Sequence, residues 1–294
     1  ISFAESDLLK VAVVGRPNVG KSSLLNRLLD DQRLVVHDEP GTTRDAVSLP
    51  LLWRSQQLLL IDTAGIRKRG AGGDQREELD RMAVQRAYQA IRQCHVALLL
   101  IDSAEGLLRQ DLIIASLVIE QMKSCVLVAN KSDLVHERGR IALHRQIEER
   151  LPSLGYAPIV HASALHGDRV EQALELALDA ARWRRERVSK RRLNEVFKRA
   201  SMLRPLPFVD GVRLKIKYVT QKDTEAPTFV LYLNREAQLH PSDRRWIENT
   251  IRSQWPFTAT PLRLQFVADP RKRQQPGRRS STKKLAKRRP LRRG

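Results

Sequence analysis

Cysteine is scarce in this chain of 294 residues, and apolar runs long enough to cross a membrane are missing. The two cysteines, Cys94 and Cys125, lie in apolar contexts without the spacing of metal ligands, which excludes a disulfide scaffold and a cysteine-based metal site. We therefore expect buried thiols and a reducing compartment, with neither thiol acting as a nucleophile. No apolar run approaches the roughly 18 residues of a transmembrane helix, so we expect no membrane partner.

An initiating methionine is also missing, because the sequence begins with Ile1. We expect a processed or partly represented product, from which any targeting signal has already been removed. The length is that of about two domains of ordinary size.

Positive charge is concentrated in two segments of the chain. Residues 1–181 hold 22 basic and 24 acidic side chains, whereas residues 182–199 hold nine and two. Residues 271–294 hold twelve basic side chains and no acidic one, and they contribute most of the net charge of +20. Twelve unopposed cations repel one another without a counter-charge, which favours a nucleic acid as partner. The alternatives are a solvated helix face with a solubilising tail, or a nuclear-localisation signal.

One stretch has the pattern of a phosphate-binding loop. Directly after the apolar run 11–14, residues 15–22 are Gly-Arg-Pro-Asn-Val-Gly-Lys-Ser. The glycines allow successive backbone N–H groups to turn toward phosphate oxygens, at the positive end of the following helix. Lys21 then reaches the β- and γ-phosphates, and the Ser22 hydroxyl holds Mg²⁺. A plain glycine turn is the alternative, which the flanking strand and the helical run 23–29 disfavour.

Residues 10–180 alternate short apolar runs with helical stretches, a pattern typical of a parallel sheet wrapped by helices. The five runs that predict buried strands are Val11–Val14, Leu58–Ile61, Val96–Ile101, Val126–Ala129 and Pro158–Ala162. Each run is followed at once by a polar or glycine-rich motif, and phosphate sites in such folds lie beyond the carboxyl ends of the strands. The sequence therefore predicts an α/β domain whose motifs meet at one nucleotide site.

Two later motifs predict that the base is guanine. Residues 130–133 are Asn-Lys-Ser-Asp, and the Asp133 carboxylate can accept hydrogen bonds from N1 and N2 of guanine, which adenine does not offer. Residues 163–165 are Ser-Ala-Leu and could place a backbone N–H on the guanine carbonyl oxygen. A helix cap with a nearby salt bridge is the alternative role for Asp133. The Ser-Ala-Leu motif is informative only through its order and spacing relative to the other motifs.

Two candidate switch segments lie between these motifs. Residues 40–45 are Pro-Gly-Thr-Thr-Arg-Asp, and a threonine here can complete the coordination of Mg²⁺ while the γ-phosphate is present. Residues 62–65 are Asp-Thr-Ala-Gly, where Asp62 can order the water shell of Mg²⁺ and the Gly65 N–H can sense the γ-phosphate. A surface turn is the alternative for each segment.

Together these motifs resemble those of translation-factor-related GTPases, and residues 8–268 are similar to the EngA (Der) family of ribosome-assembly GTPases. The resemblance rests on GRPNVGKS, PGTTRD, DTAGIRKRG, NKSD and SAL together with the C-terminal third of the chain. It corresponds to the second GTPase domain of that family and to its KH-like domain. The family's first GTPase domain is not present in this sequence.

The resemblance implies a site for GTP or GDP with Mg²⁺ and assigns residues to it. Catalytic roles are implied for Lys21, Thr43, Asp62 and Gly65. Nucleotide contacts are implied for Gly15, Asn18, Val19, Gly20, Lys21, Ser22, Ser23, Thr42, Asn130, Lys131, Asp133, Ser163, Ala164 and Leu165. Mg²⁺ would bind Ser22 and Thr43 and, through water, Asp62. Asn18 is implied as a ligand of K⁺, which would neutralise charge in the transition state, and a loop-stabilising amide is the alternative.

Two positions depart from expected patterns. The residue after Gly65 is Ile66, which cannot orient a water molecule as the glutamine of small signalling GTPases does. We therefore expect intrinsic hydrolysis of GTP to be slow until another group or a ribosomal particle completes the site. Such a protein acts as a timed switch. The family usually has tryptophan where this chain has Ser132, and we expect guanine specificity to survive with altered packing nearby.

The expected domain order is a GTPase domain at 1–181, a basic helix end at 182–189, a small α+β KH-like domain at 190–268 and a basic tail at 269–294. We expect the tail to be disordered alone or bound to RNA. The helices predicted after residue 189 are Lys190–Met202 and Ser242–Trp255, and the predicted strands are Val212–Thr220, Thr228–Asn234 and Leu262–Val267.

A KH domain clamps nucleotides with a Gly-x-x-Gly loop, and residues 190–268 contain none. A docking role against ribosomal RNA or protein is therefore favoured over the usual KH readout. Lys215 and Lys217 lie on the same face of a predicted strand. We expect them either to contact phosphate groups of RNA or to form the solvated face of an antiparallel sheet. The basic helix end, which contains Trp183, is expected to pack on the next domain, to face RNA, or both.

The sequence thus predicts a GTP-hydrolysing assembly factor that binds a ribosomal large-subunit precursor and its rRNA, with ribosomal proteins or other assembly factors as further partners. We expect a monomer. The alternatives are a non-hydrolysing, GTP-stabilised rRNA scaffold and a GTPase acting on tRNA or membrane traffic. Arginine outnumbers lysine 39 to 14, and NKSD departs from the family, which favours a mitochondrial or other organellar matrix; the bacterial cytoplasm is the alternative.

Overall fold

In a computed structural model, the chain is described at residues 8–30, 48–54, 56–61, 76–222 and 226–270. The predicted switch segments and the basic tail lie outside these residues. Among the described residues, no helix combines the length and the apolar character that a membrane span requires.

The first sheet has six strands in the described part of the chain: β1 (Leu9–Val14), β2 (Leu49–Trp53), β3 (Gln56–Ile61), β4 (Val96–Asp102), β5 (Ser124–Asn130) and β6 (Ile159–His161). They lie in the order β2-β3-β1-β4-β5-β6, parallel to one another except for the antiparallel pair of β2 and β3. The helices that accompany this sheet are α1 (Lys21–Asp30), α2 (Arg76–Gln93), α3 (Arg109–Glu120), α4 (Glu137–Arg150) and α5 (Val170–Arg185). The predicted parallel sheet with helices is confirmed.

Alternate residues of the central strand face two different apolar cores. Val11 and Val13 of β1 contribute to one core, and Ala12 and Val14 contribute to the other. Because both faces are covered by helices, every residue of β4 and β5 is buried, which is why these strands are nearly continuous apolar runs.

Cys94 and Cys125 are fully buried as predicted, and burial raises the pKa of the Cys94 thiol to about 11.

A second, smaller unit follows. Its elements are α6 (Lys190–Leu203), β7 (Phe208–Val209), β8 (Val212–Arg213), β9 (Ile216–Lys222), β10 (Thr228–Leu233), α7 (Pro241–Arg252) and β11 (Arg263–Ala268). The strand β10 lies in the middle of a three-stranded sheet, parallel to β11 and antiparallel to β9. Helices and sheet enclose a separate apolar core that includes Phe197, Phe229 and Ile247. The predicted order of helix, strand, strand, helix and strand is confirmed, with one added hairpin.

The prediction of one strand from Val212 to Thr220 is wrong. The chain leaves the β7–β8 hairpin at Leu214, whose side chain is buried and whose N–H donates to the Pro207 carbonyl oxygen at 2.9 Å. The side-chain amide of Asn234 then donates to the Arg213 carbonyl oxygen at 3.1 Å and accepts the Lys215 N–H at 2.9 Å. These hydrogen bonds replace ladder partners. Lys215 therefore lies between β8 and β9 and not within one strand. Both Lys215 and Lys217 are exposed.

The end of α5 packs on the second unit. The ring centroids of Trp183 and Phe257 are 5.3 Å apart, and the Cys125 N–H donates to the Ala259 carbonyl oxygen at 2.8 Å. The Thr260 hydroxyl donates to the Ala180 carbonyl oxygen at 3.2 Å. The basic helix end thus docks through Trp183 and the buried Arg184, while Arg182, Arg185 and Arg187 stay exposed, so both predicted roles of this segment are compatible with the fold.

Replacing Phe257 by alanine is expected to lower the free energy of unfolding by about 3–5 kcal/mol, since the ring is fully buried and contacts Trp183 and Phe229. Urea unfolding followed by tryptophan fluorescence measures the loss. Phe208→Ala is the matched control, because that ring is 61% exposed and its removal should cost less than about 1 kcal/mol. Equal losses in the two variants would contradict the packing described for the junction.

Candidate functional site

The predicted phosphate loop turns between β1 and α1, at the carboxyl end of the central strand. Its curve depends on three residues with positive φ, namely Gly15 at 154°, Asn18 at 62° and Gly20 at 96°. The Lys21 ammonium donates to the carbonyl oxygens of Gly15 and Arg16 at 2.8 and 2.6 Å, which holds this cation against the loop. Val19 is buried, so the loop is anchored in the core while Asn18 is exposed.

The Asn130 side chain joins the phosphate loop to the last predicted motif. Its Nδ2 donates to the Val19 carbonyl oxygen at 2.7 Å, and its Oδ1 accepts the Ala164 N–H at 2.9 Å. The residue is only 2% exposed, so both hydrogen bonds are shielded from water. A Cβ added to Gly20 would clash with this Nδ2, which explains why a glycine must stand there. The three motifs are thereby brought together, as the sequence predicts.

Lys131 adopts a left-handed backbone conformation with φ of 59° directly after Asn130. Its ammonium lies 2.5 Å from Oδ2 of Asp102, the last residue of β4. That carboxylate is nearly inaccessible to solvent, and its other oxygen accepts the Ala104 N–H at 2.9 Å. The ion pair therefore fixes the direction of the Lys131 side chain, since the buried carboxylate is itself held by the backbone.

Asp133 is exposed at the start of the short turn that follows Lys131. A hydrogen bond from Ser163 holds the pKa of the Asp133 carboxyl below its ordinary value, with a smaller contribution from His166. Because a lowered pKa keeps the group charged, this carboxylate is ionised at neutral pH and can accept two N–H donors. Leu165, two residues after Ser163, is 75% exposed. The Asp133 carboxylate is thus an acceptor of the kind that the N1 and N2 groups of guanine require.

Arg16, in the phosphate loop, makes side-chain contacts that the sequence did not reveal. It is largely buried, forms an ion pair with Glu105, and its Nε lies 3.5 Å from Oδ2 of the fully buried Asp111. Burial raises the pKa of the Asp111 carboxyl, and the Leu108 N–H and Arg16 oppose that shift. The second position of the loop motif accepts any residue, so no motif signal marked this contact.

Four predicted site residues, Thr42, Thr43, Asp62 and Gly65, lie outside the described residues, and their roles stay predictions. The described remainder of the predicted magnesium site is Ser22, which stands with Ser23 at the start of α1. The described residues contain no cluster of three or more histidine, cysteine or carboxylate side chains for a metal ion. A magnesium ion bound by hydroxyl groups and phosphate oxygens would not need such a cluster.

The side-chain amide of Asn18 forms no hydrogen bond with any other residue in the described ranges, and the residue is exposed. The alternative role of a loop-stabilising amide therefore has no support among those residues. The donor set around the loop, one ammonium group and one hydroxyl group on a glycine turn, fits a nucleoside polyphosphate with a hard cation.

Comparison with known proteins gives three matches to protein families. Residues 10–131 match a family described as 50S ribosome-binding GTPase, and residues 83–182 match the elongation factor Tu GTP binding domain. Residues 187–266 match a family described as the KH-domain-like C-terminal part of EngA bacterial GTPase enzymes. Each of the two units of the fold therefore matches at least one known family. The family that matches the second unit is described as part of the EngA bacterial GTPase enzymes.

Curated relatives extend across both units. GTPase Der of Moorella thermoacetica is 42% identical over 265 residues, which are 89% of this chain and 60% of that protein. GTPase Der of Thermomicrobium roseum is 40% identical over 267 residues, 90% of this chain and 57% of that protein. The chain thus spans about three fifths of the length of these relatives. A crystal structure of Era with MgGDPNP and a fragment of 16S ribosomal RNA is 22% identical over 89% of this chain and 92% of that chain, with a TM-score of 0.45, a likeness too weak to carry an inference.

Replacing Gly20 by alanine is expected to lower the affinity for a guanine nucleotide by about 100-fold, or about 2.8 kcal/mol. The added Cβ would displace the Asn130 amide and strain a backbone at positive φ. Titration with a fluorescent GDP analogue measures the change. Gly139→Ala in α4 is the control, because its Cβ would meet nothing closer than Val135 at 3.4 Å. Binding by the Gly20 variant within threefold of the unchanged chain would refute the described contact as a determinant of the site.

Proposed function

Because the chain belongs to the EngA (Der) family of GTPases, we propose that it hydrolyses GTP and acts as a nucleotide-timed assembly factor for the ribosomal large subunit. The observation that carries the nucleotide half of this proposal is the bridge from Asn130 to Val19 and Ala164, which unites phosphate loop and base loop in one site. The ionised Asp133 beside that bridge supports guanine as the base. The 50S-binding family and the bacterial Der relatives support the ribosomal half.

In the proposed complex, the loop from Gly15 to Ser22 and the Lys21 ammonium bind the phosphates, while Asn130, Lys131 and Asp133 bind guanine. Ser22 and Thr43 hold Mg²⁺, and Asp62 holds its water shell. The ion neutralises charge on the phosphate oxygens. The stem of Lys131, directed by Asp102, lies along the base.

Hydrolysis in this proposal is slow until a partner acts. Ile66 offers no group that orients the attacking water molecule. The ribosomal particle or a monovalent cation must therefore complete the site, and the chain acts as a timed switch. The exposed amide of Asn18 supports its proposed role as a K⁺ ligand, since its oxygen is not engaged by another described residue. Gly65 and Thr42 complete the proposed contacts around the γ-phosphate.

The proposed ribosomal partners are rRNA of the large-subunit precursor and, beside it, ribosomal proteins or other assembly factors. The cations of residues 182–199 and 271–294 provide the attraction to RNA phosphates, around a GTPase body that is nearly neutral. We propose that the chain acts as a monomer. The curated relatives named above are bacterial, which supports the bacterial cytoplasm and gives no support to an organellar matrix.

Lys21→Ala is expected to abolish productive GTP binding, because it removes the cation that meets the β- and γ-phosphates. Arg138→Ala is the matched control, since it removes one positive charge from an exposed position on α4. Equilibrium binding of GTP to both variants is the measurement. Normal affinity in the Lys21 variant would refute the assignment of the phosphate site.

Turnover of GTP separates the proposed enzyme from a non-hydrolysing scaffold. It is measured in matched K⁺ and Na⁺ buffers, with and without large-subunit particles. We expect faster turnover in K⁺ than in Na⁺ and further stimulation by the particles. The absence of turnover under all four conditions would leave the scaffold as the explanation, and equal rates in K⁺ and Na⁺ would remove the role proposed for Asn18.

Removing residues 271–294 is expected to weaken binding to large-subunit particles by about tenfold or more at moderate salt, because twelve cations are lost. GTP affinity should be retained. Co-sedimentation across a salt series measures particle binding, and a variant whose twelve cations are replaced by glutamine controls for the loss of chain length. A salt dependence unchanged by either variant would contradict the proposed role of the tail.

A further inference from the structure

A groove between α2 and α3 of the GTPase unit lies outside the nucleotide site. Its volume is about 620 Å³. Each wall contributes one arginine followed by two largely apolar side chains at intervals of three or four residues: Arg81, Val84 and Tyr88 from α2, and Arg109, Ile113 and Leu117 from α3. Side chains at such intervals share one face of a helix. The two faces therefore form the two walls of the groove.

Both arginines lie at the same end of the groove. The strands β3, β4 and β5 are parallel, so the helices that connect them run back from the carboxyl edge of the sheet. Arg81 and Arg109 precede the apolar residues on their helices and so lie nearer to that edge, where the nucleotide site is. From Arg109 to Leu117 the helix advances about 12 Å. The groove thus has a positive end and an apolar length of about two helical turns.

The two arginines have no counter-charge in the part of the chain that the structure describes. Both are exposed, and neither forms an ion pair with a described acid. The acids nearest to Arg109 in the sequence are Glu105 and Asp111, and both contact Arg16 of the phosphate loop. No carboxylate is among the described residues that line the groove. A carboxylate supplied by a partner would therefore meet two cations that are not already neutralised by these acids.

The rest of the groove is apolar and open to solvent. Ile113 is 40% exposed and Tyr88 is 36% exposed, whereas Val84 and Leu117 are half-buried between the helices. The Arg92 guanidinium lies 5.8 Å from the centroid of the Tyr88 ring, although Arg92 does not line the groove. Exposed apolar side chains gathered in one concave surface are typical of a site that binds another protein.

We propose that this groove binds an amphipathic α-helix of a protein partner, with carboxylates in the first turn of that helix against Arg81 and Arg109. An apolar stripe at intervals of three and four residues then covers Val84, Tyr88 and Ile113. Carboxylates in a first turn are also favoured by the dipole of the helix that carries them. A strand of RNA would need cations along its path, whereas the two lining cations are at one end.

This inference goes beyond the proposed function, because it adds a protein-binding surface to the GTPase unit and does not depend on hydrolysis of GTP. The partner would contact α3, whose first turn carries the Asp111 carboxylate that lies against the phosphate loop. The surface is therefore placed beside the nucleotide site and on the opposite unit from the KH-like domain.

The first test selects ligands for the full chain from a displayed library of helix-forming peptides of about 16 residues, long enough for an isolated helix. We expect the enriched peptides to carry glutamate or aspartate in the first turn and apolar residues at intervals of three and four. They should not bind the variant Ile113→Glu, which places a carboxylate on the apolar wall. The affinity of that variant for GDP shows that it is folded. Enriched peptides that bind the variant as well as the unchanged chain would overturn the proposal.

The role of the arginines is measured with an enriched peptide labelled with fluorescein, by fluorescence anisotropy at low salt. The variant Arg81→Gln with Arg109→Gln is compared with the control Arg86→Gln with Arg138→Gln. Both pairs remove two exposed charges from the GTPase unit, but the control pair does not line the groove. We expect about fivefold weaker binding for the groove pair, as for the loss of two surface ion pairs, and a change within twofold for the control. Equal losses in the two pairs would contradict the proposed contact.

The position and the class of the occupant are tested on the same chain. A benzophenone group on the apolar stripe of the peptide is crosslinked by light and mapped by mass spectrometry. Crosslinks within residues 81–88 or 109–117 support the proposal, and crosslinks confined to other segments overturn it. Displacement of the peptide by polyuridylate, at concentrations where polyglutamate has no effect, would overturn it in favour of RNA. A dimer in sedimentation velocity that Ile113→Glu converts to a monomer would overturn it in favour of a second copy of this chain.

Discussion

The buried amide of Asn130 is the constraint on which the nucleotide site depends. It makes one hydrogen bond to the phosphate loop and one to the loop that follows β6, and both are shielded from water. Leaving either partner unsatisfied in such a place costs about 1–3 kcal/mol, so the two loops keep a fixed separation. The contact also leaves no space for a side chain at Gly20. A single side chain therefore explains the spacing of motifs that lie more than 100 residues apart in the sequence.

Electrostatics reinforces this geometry from one side of the sheet. The stretch from the last residue of β4 to the first turn of α3 supplies Asp102 to Lys131 and supplies Glu105 and Asp111 to Arg16. Two cations near the phosphate and base loops are therefore held by carboxylates from a single stretch of about ten residues. Buried carboxylates remain charged only where cations and N–H groups compensate their desolvation, so loop and segment stabilise each other.

The sequence predicted the parts of the fold and site that depend on local pattern. The buried strands β1, β4 and β5 are continuous apolar runs, and the glycine loop and Asn-Lys-Ser-Asp motif occupy their carboxyl ends as expected. The edge strand β2 was missed, since its Leu-Pro-Leu-Leu-Trp sequence has no clear alternation and contains a proline, which an edge tolerates. The break at Leu214 and the contact of Arg16 with Asp111 depend on residues distant in sequence, so no local pattern could reveal them. The predicted roles of Thr43 and Asp62 remain predictions.

One strand relates the nucleotide site to the second unit. The carboxyl end of β5 provides Asn130, and at its other end Ser124 and Cys125 bond to Thr260 and Ala259. Its seven residues span about 20 Å, and all of them are buried in the sheet. Such a strand fixes the position of the KH-like unit but cannot easily change shape, because bending it would break ladder bonds to β4 and β6. In the proposed function, this junction therefore positions the KH-like unit, and the timing must come from the residues that surround the γ-phosphate.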